Sequence, residues 1–348
     1  MSVYMSLILL GCFTSLSDSI WTLLILRFLI GLTAAVIQPN FAAILSEIVS
    51  TKHRSKVVVT VYAFWPIALS LLSLVAYLVP DWKTMVVIVT APYALLLPAL
   101  FMIPESILWL VTNNKIQRAQ DVLKKICHCN KITIDKDQVF LKASSEDKKP
   151  NTTPLDIFRT KSLTITSLAM AFSFFTITMS YFGTQVGSGQ LSSGSVHLNF
   201  VYSVLVELPA YVTVYILLER LGRKSTNVLC AAIGGLCCFG IVGVPQTTEF
   251  DVVRLSIGIL GRFFVTIIYI GVIPWIIELY PTRIRSQGMG FSFAVGRLGG
   301  VISPWVMHAM SEVHPNASWM IVATLLMFTS MVMCALPETK GKPLQNVH

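Results

Sequence analysis

Ten stretches of this chain are apolar for about twenty residues at a time, and short charged turns separate most of them. They cover residues 3–16, 21–44, 57–79, 85–103, 163–184, 199–218, 226–244, 255–277, 289–310 and 319–336. A helix needs roughly 20 apolar residues to cross the hydrocarbon of a bilayer. A soluble chain of 348 residues would fold as two or three domains, but this one is 54% hydrophobic and 12% charged, with a mean hydropathy of +0.71. Those values lie outside the range of soluble proteins. The expected fold class is therefore an all-α polytopic membrane protein with about ten transmembrane helices. No lysine or arginine precedes the first run, which argues against a cleaved signal peptide.

The basic residues fall in alternate loops. Lys52, Arg54 and Lys56 occupy one, the 105–161 segment holds the largest group, and Arg220, Arg223 and Lys224 occupy a third. Arg283 and Arg285 follow, then Lys340 and Lys342, whereas the intervening loops contain only Lys83. Such asymmetry is the positive-inside rule, and it places both termini in the cytosol. The net charge of +9 thus reports topology and gives no reason to expect nucleic acid as a partner. The partners expected are the lipid bilayer and a small molecule, with the oligomeric state left open.

The chain repeats itself. Glu278 is followed seven residues later by Arg285-Ser286, and Glu47 likewise by Arg54-Ser55, at an offset of 231 residues. Pro104-Glu105-Ser106 and Pro337-Glu338-Thr339 recur at an offset of 233. Two separate landmarks at nearly one offset indicate a duplicated unit. The runs at 163–184 and 199–218, and the turn Glu219–Lys224 after them, have no counterpart in the first copy. The first copy is therefore expected to lack two spans. Four divisions follow: an incomplete N-terminal bundle of four spans at 1–104, a cytosolic connecting segment at 105–161, a six-helix bundle at 162–337 and a tail at 338–348. Within the connecting segment, Ile116, Ala119, Leu123 and Ile126 have helical spacing and predict a short amphipathic helix over 115–126. The 183–197 stretch reads as a Gly/Ser-rich outer loop, and Asn316-Ala317-Ser318 as a glycosylation triplet on the outer side.

No catalytic constellation emerges, so the chain is not expected to be an enzyme, and no cofactor or metal is implied. Cys127-His128-Cys129 lacks a second pair of ligands at usable spacing. Ionisable residues within spans are the informative ones, because they are costly in lipid and usually face a cavity. Arg297 and Glu207 lie near the middle of their spans. Both are candidate substrate ligands, the alternative being that they neutralise one another. Arg27 and Arg262 occupy corresponding places in the two halves, at an offset of 235, and are expected to serve the scaffold. Tyr181, Tyr211, Tyr269 and Trp275, with Phe182 and Tyr202, are candidates to line a cavity and hold an organic cation through their ring faces. In Glu219-Arg220-Leu221-Gly222-Arg223-Lys224, Gly222 permits a tight reversal, and Arg223 and Lys224 can reach Glu278. With Arg285, these residues are expected to form a charge clasp that holds an inner gate. Glu47 and Arg54 are its counterpart in the first half.

The turn Leu218-Glu219-Arg220-Leu221-Gly222-Arg223-Lys224 resembles the loop motif of the major facilitator superfamily. Leu26-Arg27-Phe28-Leu29-Ile30-Gly31, Glu278-Leu279-Tyr280-Pro281-Thr282, Gly296-Arg297-Leu298-Gly299-Gly300 and Pro337-Glu338-Thr339-Lys340-Gly341 narrow the likeness. In this order they are similar to the organic ion transporters of solute carrier family twenty-two. The resemblance implies a two-bundle fold with the family's first two spans missing, a plasma-membrane location, and alternating access around a site near the bilayer midplane. Val206-Glu207-Leu208-Pro209-Ala210-Tyr211 is similar to the cation and carnitine branches, and Arg297 to the anion and carnitine branches, which together suggest a zwitterion such as carnitine. The chain departs from the family's pattern at Pro104-Glu105-Ser106-Ile107-Leu108-Trp109-Leu110, which lacks a basic residue, and at Pro274-Trp275. Two alternatives accompany this reading. One is a non-transporting truncated isoform that associates with a full-length partner, and the other a sugar or nutrient porter of the same superfamily.

Overall fold

The computed structural model describes residues 2–48, 64–102, 110, 115–129, 154–188, 191, 195–280, 284–314 and 316–340. Among these residues the regular structure is entirely helical. Lipid cannot satisfy backbone N–H and C=O groups, so an apolar run that enters a bilayer closes its hydrogen bonds internally as a helix. In chain order the helices are α1 (Ser2–Ser15), α2 (Ile20–Ile48), α3 (Phe64–Leu78), α4 (Trp82–Met102), α5 (Ile116–Cys129), α6 (Lys161–Ser188), α7 (Val196–Leu205), α8 (Glu207–Arg220), α9 (Arg223–Gly243), α10 (Asp251–Leu279), α11 (Arg285–Val313) and α12 (Ala317–Cys334).

Five described stretches are long and apolar enough to cross a membrane: Lys161–Ser188, Val196–Arg220, Arg223–Gly243, Thr248–Leu279 and Ala317–Cys334. Shorter apolar helical stretches occur at Met5–Ser15, Ile20–Ala34, Phe64–Leu78 and Trp82–Leu95. At 29 residues α11 is long enough but more polar. The predicted outer loop at 183–197 is shorter than expected, because α6 continues through Ser188. The expected amphipathic helix is α5, with Ala119 fully buried on its apolar side.

The chain divides into two compact units, one of Met1–Val61 with Leu74–Lys148 and the other of Tyr62–Ser73 with Lys149–His348. In the first unit α1 packs on α2 and α4. Gly11 permits the approach, since a Cβ there would lie 2.6 Å from the Thr90 methyl carbon. Asp81 caps α4 by accepting the Thr84 backbone N–H at 2.9 Å, and Lys83 reaches Asp18 at 2.6 Å.

In the second unit α6 is the central helix, packed against α10, α11 and α12, while α9 packs on α10 and α12. Its apolar face supplies Met170, Phe174, Ile177 and Tyr181 to a core shared with Val214, Ala231, Val265, Ile268 and Leu326. The α6–α11 contact depends on small residues, as membrane helix pairs often do. A Cβ on Gly299 would stand 2.2 Å from the Phe175 carbonyl oxygen, so no larger residue fits without separating the helices. Ser303 completes this face by donating to the Met179 carbonyl at 2.8 Å.

Candidate functional site

The break between α7 and α8 sets the geometry of the first charged cluster. Pro209 has no N–H to return to the Leu205 carbonyl, and α7 ends at that residue. Glu207 opens α8 immediately afterwards. It lies eleven residues beyond Val196, and Arg262 lies eleven beyond Asp251 on the neighbouring α10. At 1.5 Å per residue each is about 16 Å along its span from that residue, a distance that reaches the middle of a hydrocarbon layer. Glu207 and Arg262 are 0% and 1% exposed, and the Arg262 Nη2 donates to Glu207 Oε1.

Tyr181 on α6 closes the cluster. Its hydroxyl donates to Glu207 Oε1 at 3.0 Å and Oε2 at 3.1 Å. The Tyr181 carbonyl and the Thr184 hydroxyl, the latter at 3.2 Å, accept from Arg262 Nη1. The guanidinium carbon sits 3.9 Å from the centroid of the Tyr181 ring, within cation–π range. Tyr269 stacks on the same ring, with centroids 4.3 Å apart and planes 16° from parallel. Tyr211, one turn beyond Glu207, is buried. An uncompensated charge in such surroundings costs several kcal/mol, so the two ions and their hydrogen bonds stand or fall together.

This arrangement revises the expected pairing. The partner of Glu207 is Arg262, not Arg297. Nor are Arg27 and Arg262 equivalent scaffold residues: Arg262 is buried in its unit, and Arg27 is exposed. The cause is the packing of α8 directly on α10, which brings two side chains of equal depth together. Arg297 lies on α11, whose glycine face is turned to α6. Arg297 is exposed on the flank of that face, one turn from Val301 and two from Trp305, which is 78% exposed.

A second charged cluster occupies the end of this unit where α8 meets α9. Gly222 adopts φ +95°, a left-handed conformation that reverses the chain between Leu221 and Arg223. A Cβ there would also come within 2.7 Å of Glu338 Oε2. The reversal aims the first N–H groups of α9 at the Glu338 carboxylate. Oε1 accepts from the backbone N–H of Arg223 and Thr339, each at 2.9 Å, and of Lys340 at 3.0 Å, while Oε2 accepts from Lys224 at 3.0 Å. Burial alone would raise the Glu338 carboxyl, but these four donors outweigh it and hold it below its ordinary range. The Arg223 side chain reaches Glu278 Oε1 through Nε at 3.1 Å and Nη2 at 2.9 Å, and the Thr339 hydroxyl donates to the other Glu278 oxygen. Lys340 Nζ holds the Arg220 carbonyl at 2.9 Å.

The contact expected between Arg223 and Glu278 is therefore present. Lys224 takes part through its backbone, and Glu219 and Arg220 are exposed, with Glu219 bonded to the Tyr215 side chain. Arg54 and the side chains of Glu47 and Arg285 lie outside the described residues. Trp275 is fully buried and donates its indole N–H to the Pro337 carbonyl at 3.2 Å, a position in the packed core near this cluster. Glu338 and Thr339 were absent from the expected site. The available signal was a glycine reversal opening a helix, an arrangement that attracts a carboxylate to its unpaired N–H groups.

Two ionic clusters thus lie within a bundle of helices of which five are long and apolar enough to cross a membrane. The whole chain, residues 1–348, matches the family described as sugar (and other) transporter. The protein belongs to that family. It is 29% identical over 338 residues to solute carrier family 22 member 2 of Rattus norvegicus, covering 96% of this chain and 60% of that one. Member 1 of Bos taurus is 29% identical over 337 residues, and member 3 of Mus musculus 26% over 331, each matched over 59% of its length. The chain thus spans about 60% of the length of these curated relatives. Among solved structures it is similar in fold to the proton:xylose symporter XylE bound to 6-bromo-6-deoxy-D-glucose, with a TM-score of 0.71 at 16% identity, covering 98% of this chain and 80% of that one. A partially occluded inward-open structure of the XylE xylose transporter from E. coli gives 0.70 at 17% identity, covering 98% and 81%.

Proposed function

We propose that the chain serves the transmembrane movement of small organic ions by alternating access at the plasma membrane, with both termini and the Arg223–Glu278 end in the cytosol. The observation that carries this reading is the Glu207–Arg262–Tyr181 cluster, buried about midway along its spans beside stacked aromatic rings. Ionisable groups in such a place mark the routes of ions and polar substrates. The match of 96% of the chain to solute carrier family 22 members supports the same class.

Each substrate charge meets a different requirement at this cluster. A cation must compete with Arg262 for Glu207, whereas an anion must compete with Glu207 for Arg262. A zwitterion such as carnitine satisfies both ions as they separate. Arg297, exposed on α11, supplies a further positive charge for a carboxylate. The Arg223–Glu278 contact, with Glu338 beneath α9, acts as the inner clasp that must open when the site faces the cytosol. The test is uptake of carnitine, tetraethylammonium and benzoate by cells expressing the chain, with and without Arg297→Ala. Saturable carnitine uptake that falls at least tenfold in Arg297→Ala is expected. No uptake above empty-vector cells for any of the three overturns the reading.

A further inference from the structure

At the end of the second unit opposite the Arg223–Glu278 clasp, one asparagine joins several chain segments. The Asn316 Oδ1 accepts from Gln246 Nε2 at 2.8 Å and from Arg254 Nη2 at 3.1 Å. Its Nδ2 donates to the Val242 carbonyl at 3.2 Å, and its backbone N–H to His314 Nδ1 at 3.2 Å. Arg254, 4% exposed, extends the network by donating Nη1 to the Val244 carbonyl at 3.2 Å. One side-chain amide therefore ties the end of α9, the connection to α10, the first turn of α10 and the turn before α12.

These same residues form the triplet Asn316-Ala317-Ser318. We propose that Asn316 is the keystone of a latch that fixes the ends of α9 to α12 as one block, and that its triplet is not a glycan acceptor. N-glycosylation replaces a proton on the Asn side-chain nitrogen with a bond to the sugar. Here that nitrogen faces the Val242 carbonyl, and the amide oxygen beside it carries two donors. Ser318, the residue that completes the triplet, is 3% exposed in the first turn of α12, with its hydroxyl on the Met307 carbonyl at 2.9 Å. A sugar on Nδ2 would have to displace the Val242 carbonyl, while Gln246 and Arg254 hold the amide oxygen in place beside it. Polar groups that share one partner are coupled, and removal of the shared partner removes all the bonds at once.

The glycan half of the proposal rests on the outward orientation given above, whereas the latch does not, and the experiment separates them. The full chain, expressed in human cells, is treated with peptide N-glycosidase in heavy-oxygen water, which converts a glycan-bearing Asn to labelled Asp. Residue 316 is expected to be recovered as unlabelled Asn, and recovery as labelled Asp overturns the exclusion. Thr247→Cys should react with a membrane-impermeant maleimide applied outside intact cells. No reaction there overturns the occlusion argument and the proposed orientation together. The latch itself is tested by thermal unfolding of purified Asn316→Ala, Arg254→Met and the double variant. Both single variants remove the Arg254–Asn316 bond, so the double variant should lose less than the sum of the two single losses, and fully additive losses overturn the latch. Asn316→Asp keeps both acceptor contacts and adds charge toward Arg254, but sets an oxygen against the Val242 carbonyl, so it should melt above Asn316→Ala and below the parent.

Discussion

The second unit contains two Arg–Glu contacts that differ in almost every physical respect. Arg262 and Glu207 are essentially unexposed, flanked by aromatic rings and tied to three hydrogen-bonding groups of α6. Arg223 and Glu278 retain 26% and 23% exposure, and their network is built on backbone N–H groups and a chain reversal. A fully buried pair holds its geometry because neither ion can leave without stranding the other. A pair at the water boundary can exchange partners at small cost. In the proposed function the first is the pair that meets the substrate's charge, and the second is the clasp that opens and closes.

The largest effect is expected where the contrast is strongest. Glu207→Ala or Arg262→Ala strands a buried charge and should lower stability by about 3–5 kcal/mol, measured by denaturant or thermal unfolding of the purified chain. Removing both ions together should recover most of that loss, which separates desolvation from net attraction. Next is Gly222→Ala. Left-handed backbone and the approach of Glu338 act together there, and a loss of about 2 kcal/mol is expected in the same assay.

Glu338→Gln keeps the shape but weakens the three N–H bonds to Oε1 and loses the Lys224 bond, where an NH2 replaces the acceptor, for an expected loss of about 1–2 kcal/mol. The sign with pH follows. A carboxyl held below its ordinary value of 4.5 contributes stability that is fully present above that value and is lost as pH falls through the depressed folded value. The melting temperature of the parent should therefore fall on acidification below about pH 4.5, and the part due to Glu338 should vanish in Glu338→Gln. The smallest effect is expected for Arg223→Lys. It retains charge but loses the two-pronged contact with Glu278 Oε1, at a cost below about 1 kcal/mol that is more sensitive to salt than any change at Arg262.

How much of this could be read from the sequence depends on whether the determining contacts are local. The apolar runs dictate helices because each closes its own hydrogen bonds, so α6, α9, α10 and α12 appear where the runs lie. The Arg223–Glu278 contact was legible because a glycine reversal and an acidic residue at a span's end need each other. The Glu207–Arg262 pair was not, since it depends on which faces of α8 and α10 meet, and periodicity is silent on faces when a helix is apolar all round. Arg297 illustrates the same limit: Gly296, Gly299 and Gly300 determine which side of α11 packs on α6, and Arg297 is left exposed beside that face. Glu338 was visible as a repeated landmark, but its role required knowing that residues more than a hundred positions apart converge on one carboxylate.

The most direct test is uptake by the double variant Glu207→Gln/Arg262→Gln, beside the parent and each single change. With both charges removed, the variant should fold and reach the cell surface. If the pair engages the substrate, saturable carnitine uptake should be abolished in it. Uptake at the parent's rate would contradict that claim and leave the buried pair as a fastening between α8 and α10.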